Sequence, residues 1–500
     1  MSWLACRAVR SFQRGSFRSL HQHQHQHQRW QQSRQYAALA AAELQFGQPL
    51  HETHPHLLKA GEITPGITAV EYYHRRQKLA ELLPVNSVAI LAAGDVKYRS
   101  GSSAVFYDFH QDPDFLYLTG FLEPEALAVI AKKGKSASDV IFHLFVRPKN
   151  AADEQWEGAR SGVQAALDVF NADEAGDINR VDRELPKLLQ GVEKVYTDLP
   201  RSFAPRTAFS RYLSGLALRP DDGIAKAISG LTVRPLRPLL NRLRVRKSEA
   251  EISLMRSVGK ASGRAITRAM RQTWTSEKKL AANLEFNFME EAMDGVGYVP
   301  VVAGGVNALN IHYTRNDCLL ETNDLILIDA GAQHGGYITD ISRTWPNNGI
   351  FAPAQKDLYL AVLSVQRHAV SQCRANANLT LDKIHENAER MLKENLKDLG
   401  FDVSGNAMGI LFPHHIGHYI GLDVHDSPGF PRTETLERGM CVTIEPGVYV
   451  PAHDPSERWP KHFRGMGIRI EDSVCVDSES PFILSTEAVK EVEDIEALRR

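Results

Sequence analysis

The chain has 500 residues, which at roughly 150 residues per domain predicts two to three domains. Its 43% hydrophobic and 24% charged content excludes a mostly disordered chain, a collagen-like chain and a coiled coil. The net charge of −2 offers no basic field for nucleic acid, and no apolar run approaches the roughly 18 residues of a membrane-spanning helix.

The N-terminal segment has the composition of a targeting signal. Residues 1–42 contain six arginines and no Asp, Glu or Lys, and the first acidic residue is Glu43. This arginine-rich, acid-free pattern is typical of organelle transit peptides, and it lacks the apolar core of a secretory signal. Arg34-Gln35-Tyr36-Ala37 resembles a mitochondrial processing site. We therefore predict a presequence over residues 1–36 and a mitochondrial location, in the matrix or peripheral to the inner membrane.

An arm and an α/β domain are predicted next. Residues 37–65 are polar and interrupted by prolines, which favours an extended arm, and residues 66–242 should form the domain. Its first helix is predicted over Val70–Leu83, where apolar and charged residues alternate at helical spacing. We interpret four short apolar runs as strands of a mixed sheet: Ser87–Ala92, Leu116–Gly120, Ala126–Ala131 and Val140–Val146.

A second domain is predicted over residues 247–495. Ser248 with Glu251 three residues later is a capping box, which predicts the start of a long amphipathic helix. One face of this helix carries Ile252, Met255, Val258 and Ala261. The five cysteines form no CxxC pair, so neither a disulfide framework nor a cysteine zinc site is expected.

Two aspartates lie in apolar segments of this second domain. Leu325–Gly331 is predicted as a strand that carries Asp329, and Thr339–Thr344 as a second strand that carries Asp340. The intervening Gly-Gly pair suits a tight connection, which predicts an antiparallel hairpin. A buried aspartate is costly unless it is paired, hydrogen-bonded or bound to a cation. Taken alone, Asp329 would more often be a hydrogen-bonded turn residue.

Histidines and glutamates follow in the same domain. Phe412–Asp426 contains four histidines within twelve residues, namely His414, His415, His418 and His425. Such a cluster beside carboxylates favours metal ligands and proton donors. A later predicted strand ends in Glu445, and another carries Arg469 and Glu471, which share a face because they are two residues apart.

The carboxylates present an electrostatic problem if they are buried together. Asp329, Asp340, Glu445 and Glu471 would carry about four negative charges, which two divalent cations could offset. Oxygen-rich ligation with one imidazole suits harder metals, notably Mn²⁺, while Zn²⁺, Co²⁺ and Fe²⁺ remain alternatives. These residues therefore predict a dinuclear metallohydrolase.

The chain resembles a known family in the order and flanking residues of these motifs. The five-residue order resembles the ligand signature of the pita-bread metallopeptidases, which include methionine aminopeptidase, prolidase and aminopeptidase P. Segments that resemble aminopeptidase P are Ile311–Thr314, His418–Asp426 and Gly467–Asp472. Asp114–Phe121 and Glu123–Ala126 resemble its creatinase-like N-terminal domain, although Pro113 replaces the usual serine. Segments that resemble the mitochondrial branch are Gly47–Pro49, Thr53–Leu58 and Gly61–Gly66.

The resemblance implies a creatinase-like mixed-sheet domain followed by a pita-bread catalytic domain, an α/β (α+β) architecture. The implied metal ligands are Asp329, Asp340, His418, Glu445 and Glu471, with Asp340 and Glu471 bridging both ions.

Further roles follow from the same resemblance. Glu445 would also act as the proton-transferring base. His425 and His312 would steady the carbonyl and tetrahedral oxygens, His414 would line the pocket, and Arg469 would pair with a ligand carboxylate. His415 has no matched role, and we expect it to be structural.

The resemblance implies an aminopeptidase that removes one bulky N-terminal residue, such as Tyr, Leu or Phe, from imported proteins after presequence cleavage and so stabilises them. Its partners would be the N-termini of processed mitochondrial proteins or peptides, with no nucleic acid, and a homodimer is a further option. The main alternative is a general Xaa-Pro aminopeptidase, followed by a prolidase. A metal-free binding scaffold is a weaker alternative because all five implied ligands are present.

Overall fold

A computed structural model describes residues 45–99, 105–199, 227–228 and 230–499. The chain divides into two units, Met1–Leu243 and Arg244–Arg500. The predicted presequence, residues 1–36, lies outside the described residues. Among the residues that are described, no helix is long and apolar enough to cross a membrane.

The first unit contains a mixed sheet and several short helices. Its strands are β1 (Glu62–Thr64), β2 (Ile67–Thr68), β3 (Ser87–Ala92), β4 (Leu127–Lys132), β5 (Val140–Val146), β6 (Glu174–Asp177), β7 (Lys194–Tyr196) and β8 (Thr232–Arg234). Its helices are α1 (Ala69–Leu82), α2 (Pro113–Thr119), α3 (Ala151–Glu157), α4 (Gly162–Asp168), α5 (Val181–Leu188) and, running to the boundary, α6 (Arg237–Arg244).

Six of these strands form one sheet in the order β6-β5-β4-β3-β7-β8. The β3–β4 and β4–β5 pairs are antiparallel, whereas the other pairs are parallel. One face of the sheet presents buried aliphatic side chains such as Val88, Val129 and Val195, and Leu185 and Leu189 belong to the same core cluster. The predicted mixed-sheet domain is therefore confirmed, as are three of its four predicted strands.

The fourth predicted strand, Leu116–Gly120, is wrong, because this run lies in helix α2. The Asp112 side chain accepts a hydrogen bond from the Phe115 N–H, and Pro113 stands in the first turn, where its missing N–H costs nothing. The helix ends at Gly120, which has a left-handed conformation. Both boundary signals are present in the sequence, and they favour a helix over the strand that the short apolar run predicts.

The extended-arm prediction also needs correction for residues 45–65, while residues 37–44 lie outside the described part. Residues 45–65 form successive turns that end in β1. Gln48 Nε2 donates to the carbonyl oxygens of Ile63 and Gly120. Leu50 and Leu58 are buried. The segment is folded because its few apolar side chains and Gln48 find partners within the first unit.

The described residues of the second unit form six α-helices and short antiparallel strands. Its helices are α7 (Glu249–Ala269), α8 (Glu277–Glu290), α9 (Pro353–Gln372), α10 (Leu381–Asp398), α11 (Ala407–Leu411) and α12 (Val492–Ala497). The predicted capping box opens α7, since Ser248 Oγ accepts from the Glu251 N–H and the Glu251 carboxylate accepts from the Ser248 N–H. Met255, Val258 and Ala261 are buried as predicted, whereas Ile252 is only partly buried.

Within the part of the second unit that the structure describes, the strands form four small sheets. They are β9 (Gly295–Val296), β10 (Val301–Gly304), β11 (Leu325–Asp329), β12 (Ala332–His334), β13 (Tyr337–Ile338), β14 (Ser342–Pro346), β15 (Cys441–Ile444), β16 (Gly447–Tyr449), β17 (Gly467–Arg469), β18 (Asp472–Cys475) and β19 (Phe482–Ile483). Their orders are β10-β11-β14, β13-β12-β9, β15-β18-β19 and β16-β17, and every pair is antiparallel.

The predicted hairpin is more elaborate than its sequence suggested. β11 pairs with β14, with Asp329 opposite Ser342, while the Gly335-Gly336 turn joins the separate pair β12–β13. Asp340 therefore precedes its strand instead of lying within it. Its backbone N–H donates to Ser473 Oγ, which in turn donates to the Asp340 carbonyl. These side-chain contacts replace the ladder bonds that a strand would have made.

The predicted strand Gly467–Asp472 is interrupted. β17 ends at Arg469, and β18 begins at Asp472. Between them, the Ile470 N–H donates to Pro446 O and the Glu471 N–H donates to Ser342 O. The chain thus changes sheets at Glu471.

Candidate metal centre

The five predicted ligands lie at the ends of strands or beside them, and the fold brings them together. Ligand atoms of Asp340, His418 and Glu471 lie within 4.8 Å of one another. His418 Nε2 is 3.5 Å from Asp340 Oδ2 and 3.6 Å from Glu445 Oε1. Asp329 joins the group through a tyrosine that bonds to both aspartates. Residues up to 142 positions apart in the chain therefore face one small volume.

Backbone contacts place these side chains. The His418 segment lies along β15, where the Thr443 N–H donates to His418 O at 2.8 Å. This approach requires Gly417, because a Cβ there would come within 1.9 Å of the Thr443 carbonyl oxygen. Arg343, which is fully buried, donates to the carbonyl oxygens of Ser342 and Glu471 at 2.9 and 2.5 Å. Arg343 thereby holds the start of β14 against the Glu471 loop.

Burial strongly perturbs the pKa values of the carboxylates. Burial raises the pKa of Asp329 to about 7, and repulsion from Asp340 adds to the increase. Burial and the neighbouring carboxylates raise the pKa of Glu471, and burial also raises the pKa of Glu445. Burial opposes protonation of His418, but hydrogen bonding to Asp340 and the charge of Glu445 together raise its pKa to about 9. The cluster therefore favours added positive charge.

This donor set fits divalent cations. Four carboxylates supply oxygen donors and His418 supplies one imidazole nitrogen, a combination typical of hard and borderline divalent ions. Among the described residues, the arginine that pairs with this cluster is Arg469, whose side chain is only 1% exposed, and His418 adds a second positive charge when it is protonated. These two groups do not offset four carboxylates, so bound cations are the simplest source of the remaining positive charge.

Arg469 connects several members of the site. Its Nη2 donates to Asp329 Oδ2 at 2.7 Å, its Nε to Ser342 Oγ at 2.7 Å and its Nη1 to Tyr449 Oη at 2.8 Å. Ser342 Oγ in turn donates to Glu471 Oε2 at 2.8 Å. The guanidinium thus orients two of the predicted ligands, one directly and one through a hydroxyl.

The remaining predicted histidines occupy different surroundings. The His425 and His418 ring centroids are 4.3 Å apart, and partial desolvation beside the cluster, together with the charge of His418, lowers the pKa of His425. His312 is close enough to contribute to the same shift, and both His312 and His425 are exposed. His414 Nε2 is 2.9 Å from Tyr449 Oη. His415 instead lies 3.1 Å from Asp382 Oδ1, away from the carboxylate cluster.

Four residues at the site were not predicted from the sequence: Tyr298, Ser342, Thr443 and Tyr449. Tyr298 Oη donates to Asp329 Oδ1 and Asp340 Oδ1, at 2.7 and 2.5 Å. Ser342 and Thr443 each lie two residues from a predicted ligand, and this spacing could have suggested them. No local pattern distinguishes Tyr298, which precedes Asp329 by 31 residues.

Comparison with known proteins agrees with this geometry. The model of metallopeptidase family M24 matches residues 253–478, and the aminopeptidase P N-terminal domain matches residues 72–196. Intermediate cleaving peptidase 55 from Saccharomyces cerevisiae is 44% identical over 91% of this chain and 88% of its own length. Xaa-Pro aminopeptidase 3 from Homo sapiens is 38% identical over 90% of each chain.

Comparison with solved structures supports the same family. The crystal structure of Icp55 from Saccharomyces cerevisiae, with 58 N-terminal residues deleted, matches with a TM-score of 0.78 and 41% identity. It covers 88% of this chain and 99% of that one. A relative from Arabidopsis thaliana, 35% identical over 90% of this chain and 87% of its own length, is named Intermediate cleaving peptidase 55, mitochondrial, so these names indicate a mitochondrial protein. The chain belongs to metallopeptidase family M24, with an aminopeptidase P N-terminal domain and a pita-bread catalytic domain, and is a metallo-aminopeptidase that uses divalent metal ions.

Proposed function

We propose that this chain removes a single bulky N-terminal residue, such as Tyr, Leu or Phe, from imported proteins in the mitochondrial matrix after their presequences have been cleaved, and thereby stabilises them. The observation that carries the proposal is the cluster of four carboxylates, two buried and two partly buried, with one imidazole, in a chain 44% identical to a relative named as an intermediate cleaving peptidase. The acid-free N-terminal segment supports a mitochondrial location.

The residues that would hold two divalent ions are Asp329, Asp340, His418, Glu445 and Glu471. We favour Mn²⁺ because the set is dominated by carboxylate oxygens. When bound, the ions would supply Lewis acidity that lowers the pKa of water and polarises the scissile carbonyl. Tyr298 and Arg469 would hold the aspartates in place through the hydrogen bonds described above.

Glu445 would transfer the proton of the attacking water. This residue directly follows β15, and burial raises its pKa above the ordinary value of a glutamate, which makes the carboxylate a stronger base. Thr443 Oγ1 donates to Glu445 Oε1 at 3.3 Å, which limits the rotation of the carboxylate. Glu445 would accept the proton of the attacking water and pass it to the leaving amine.

The histidines would bind the reacting groups. His425 and His312 would donate hydrogen bonds to the carbonyl oxygen as negative charge develops on it. Partial desolvation and the charge of His418 lower the pKa of His425, which favours the neutral ring, and a neutral ring donates through one nitrogen. His414, whose pKa burial lowers to about 3, would line the pocket as a neutral hydrogen-bonding group.

Two experiments test the proposal. Asp340→Asn should abolish peptidase activity and lower the bound metal per chain, whereas His415→Asn, outside the cluster, should retain both. Undiminished activity of Asp340→Asn would refute the metal-dependent mechanism.

Peptides X-Ala and X-Pro, with X as Tyr or Leu, distinguish single-residue processing from a general Xaa-Pro aminopeptidase, the activity named for the human relative. Cleavage of X-Ala supports the proposal, while cleavage restricted to X-Pro favours the alternative. Proteins of a strain that lacks this chain should retain one extra N-terminal residue.

A further inference from the structure

Two cysteines face each other on neighbouring strands of the second unit. Cys441 opens β15, Cys475 closes β18, and the two are directly opposite in the antiparallel register. The Cys441 carbonyl accepts from the Ile420 N–H, on the edge of β15 away from β18. The pair therefore occupies a non-hydrogen-bonded position, where opposite Cα atoms approach to about 4.5 Å and side chains are closest. This separation lies within the range of about 4.4–6.8 Å that a disulfide spans.

The two thiols interact although both are reduced in the structure. A hydrogen bond between them raises the pKa of Cys441 and lowers the pKa of Cys475. Cys475 is therefore the more acidic of the two thiols. By contrast, burial raises the pKa of Cys373 to about 12, as expected for an inert core thiol.

Cys475 is also the more accessible member of the pair. It lines a cleft of about 390 Å³ that contains both cationic and acidic side chains: Lys247, Arg256, Arg438, Glu249 and Asp477. Cys441 is completely buried, and Cys475 is only 3% exposed.

We propose that Cys441 and Cys475 are a modification site that forms a reversible disulfide when a hydroperoxide enters this cleft. The Cys475 thiolate attacks the O–O bond, which gives a sulfenic acid and releases hydroxide or an alkoxide. The Cys441 thiol then attacks the Cys475 sulfur, and the S–S bond forms as water leaves. The two thiols lose two electrons and the peroxide gains two. A thiol reductant reverses the modification.

This site is separate from the metal centre. The cysteines lie four residues from Glu445 and Glu471, at the opposite ends of the same two strands. The inference therefore does not depend on the proposed substrate or on bound metal.

The test is peptide mapping of the full chain after hydrogen peroxide treatment and alkylation of the remaining thiols. A Cys441–Cys475 linked peptide should appear and should disappear after dithiothreitol. Cys318→Ser, which removes an exposed thiol, is the matched control and should give the same linked peptide. Cys441→Ser should instead accumulate a sulfenic acid at Cys475 that a dimedone probe traps.

Absence of the linked peptide at peroxide concentrations that fully oxidise Cys318 would overturn the proposal. Linkage of either cysteine to Cys373 or Cys318 would overturn it equally. The result on the natural chain decides the question by itself, because the mass of the linked peptide identifies both cysteines even if a serine variant folds poorly.

Discussion

Asp426→Asn should destabilise the second unit, because it removes the carboxylate that compensates two buried cations. Asp426 accepts hydrogen bonds from Arg244 Nη2 and, at 2.8 Å, from Lys247 Nζ. The three side chains are at most 4% exposed. The asparagine would keep the shape and one acceptor oxygen but lose the negative charge.

The expected loss of stability follows from the burial of these three side chains. Breaking a buried ion pair by removing one partner costs roughly 3–5 kcal/mol, since the remaining charge is neither paired nor hydrated. Arg244 retains a weaker neighbour, as its Nη2 is 3.7 Å from Asp423 Oδ2, on a side chain that is 40% exposed. We therefore expect the lower end of the range, a loss of about 3 kcal/mol in the free energy of unfolding.

Urea unfolding followed by tryptophan fluorescence would measure this loss. Trp274, Trp345 and Trp459 are buried in the second unit, whereas Trp156 of the first unit is 89% exposed, so the change in signal reports mainly on the second unit. The matched control is Glu437→Gln, which breaks a half-exposed pair with Arg246 and should cost less than about 1 kcal/mol. Equal losses for the two variants would refute the reasoning.

Burial alone would raise the pKa of Asp426, but Lys247 and Arg244 hold it below its ordinary value of 3.8. The stability that Asp426 contributes is thus present above about pH 4 and lost as the pH falls through the lowered pKa. The difference in the free energy of unfolding between the wild type and Asp426→Asn should therefore become smaller in acid. A difference that is unchanged at pH 2 would contradict this prediction. Tyr298→Phe should weaken Mn²⁺ binding, measured by titration calorimetry, by roughly 10–100-fold, because two proposed ligands lose a donor. Arg469→Lys should lower kcat/KM about 10-fold with unchanged circular dichroism, since an ammonium cannot reproduce the three directed contacts.

Local signals predicted much of the fold. The Ser248–Glu251 capping box located the start of α7, because both of its hydrogen bonds form within one turn. Strands β3, β4 and β5 appeared as short apolar runs, since each is buried along most of its length. Where local signals competed, as in Leu116–Gly120, an N-terminal cap and a proline favoured helix over strand. Hydrophobicity alone does not separate these states.

The site was predictable in its residue types and less so in its geometry. The carboxylates stood out because charge in an apolar run demands compensation. The placement of Asp340 and Glu471 outside their predicted strands was not visible, because it depends on bonds to Ser473 and Ser342, more than a hundred residues away. Tyr298 was missed for the same reason.

The sequence by itself determined the targeting composition, the family motifs, the candidate ligands and the helices whose caps are local. Only the tertiary structure decided which side chains meet. It placed Tyr298 between two aspartates, Arg469 against Asp329, and Cys441 opposite Cys475. These contacts join strands that are distant in the chain, and their register is set by burial over whole sheets, which no short window of sequence contains.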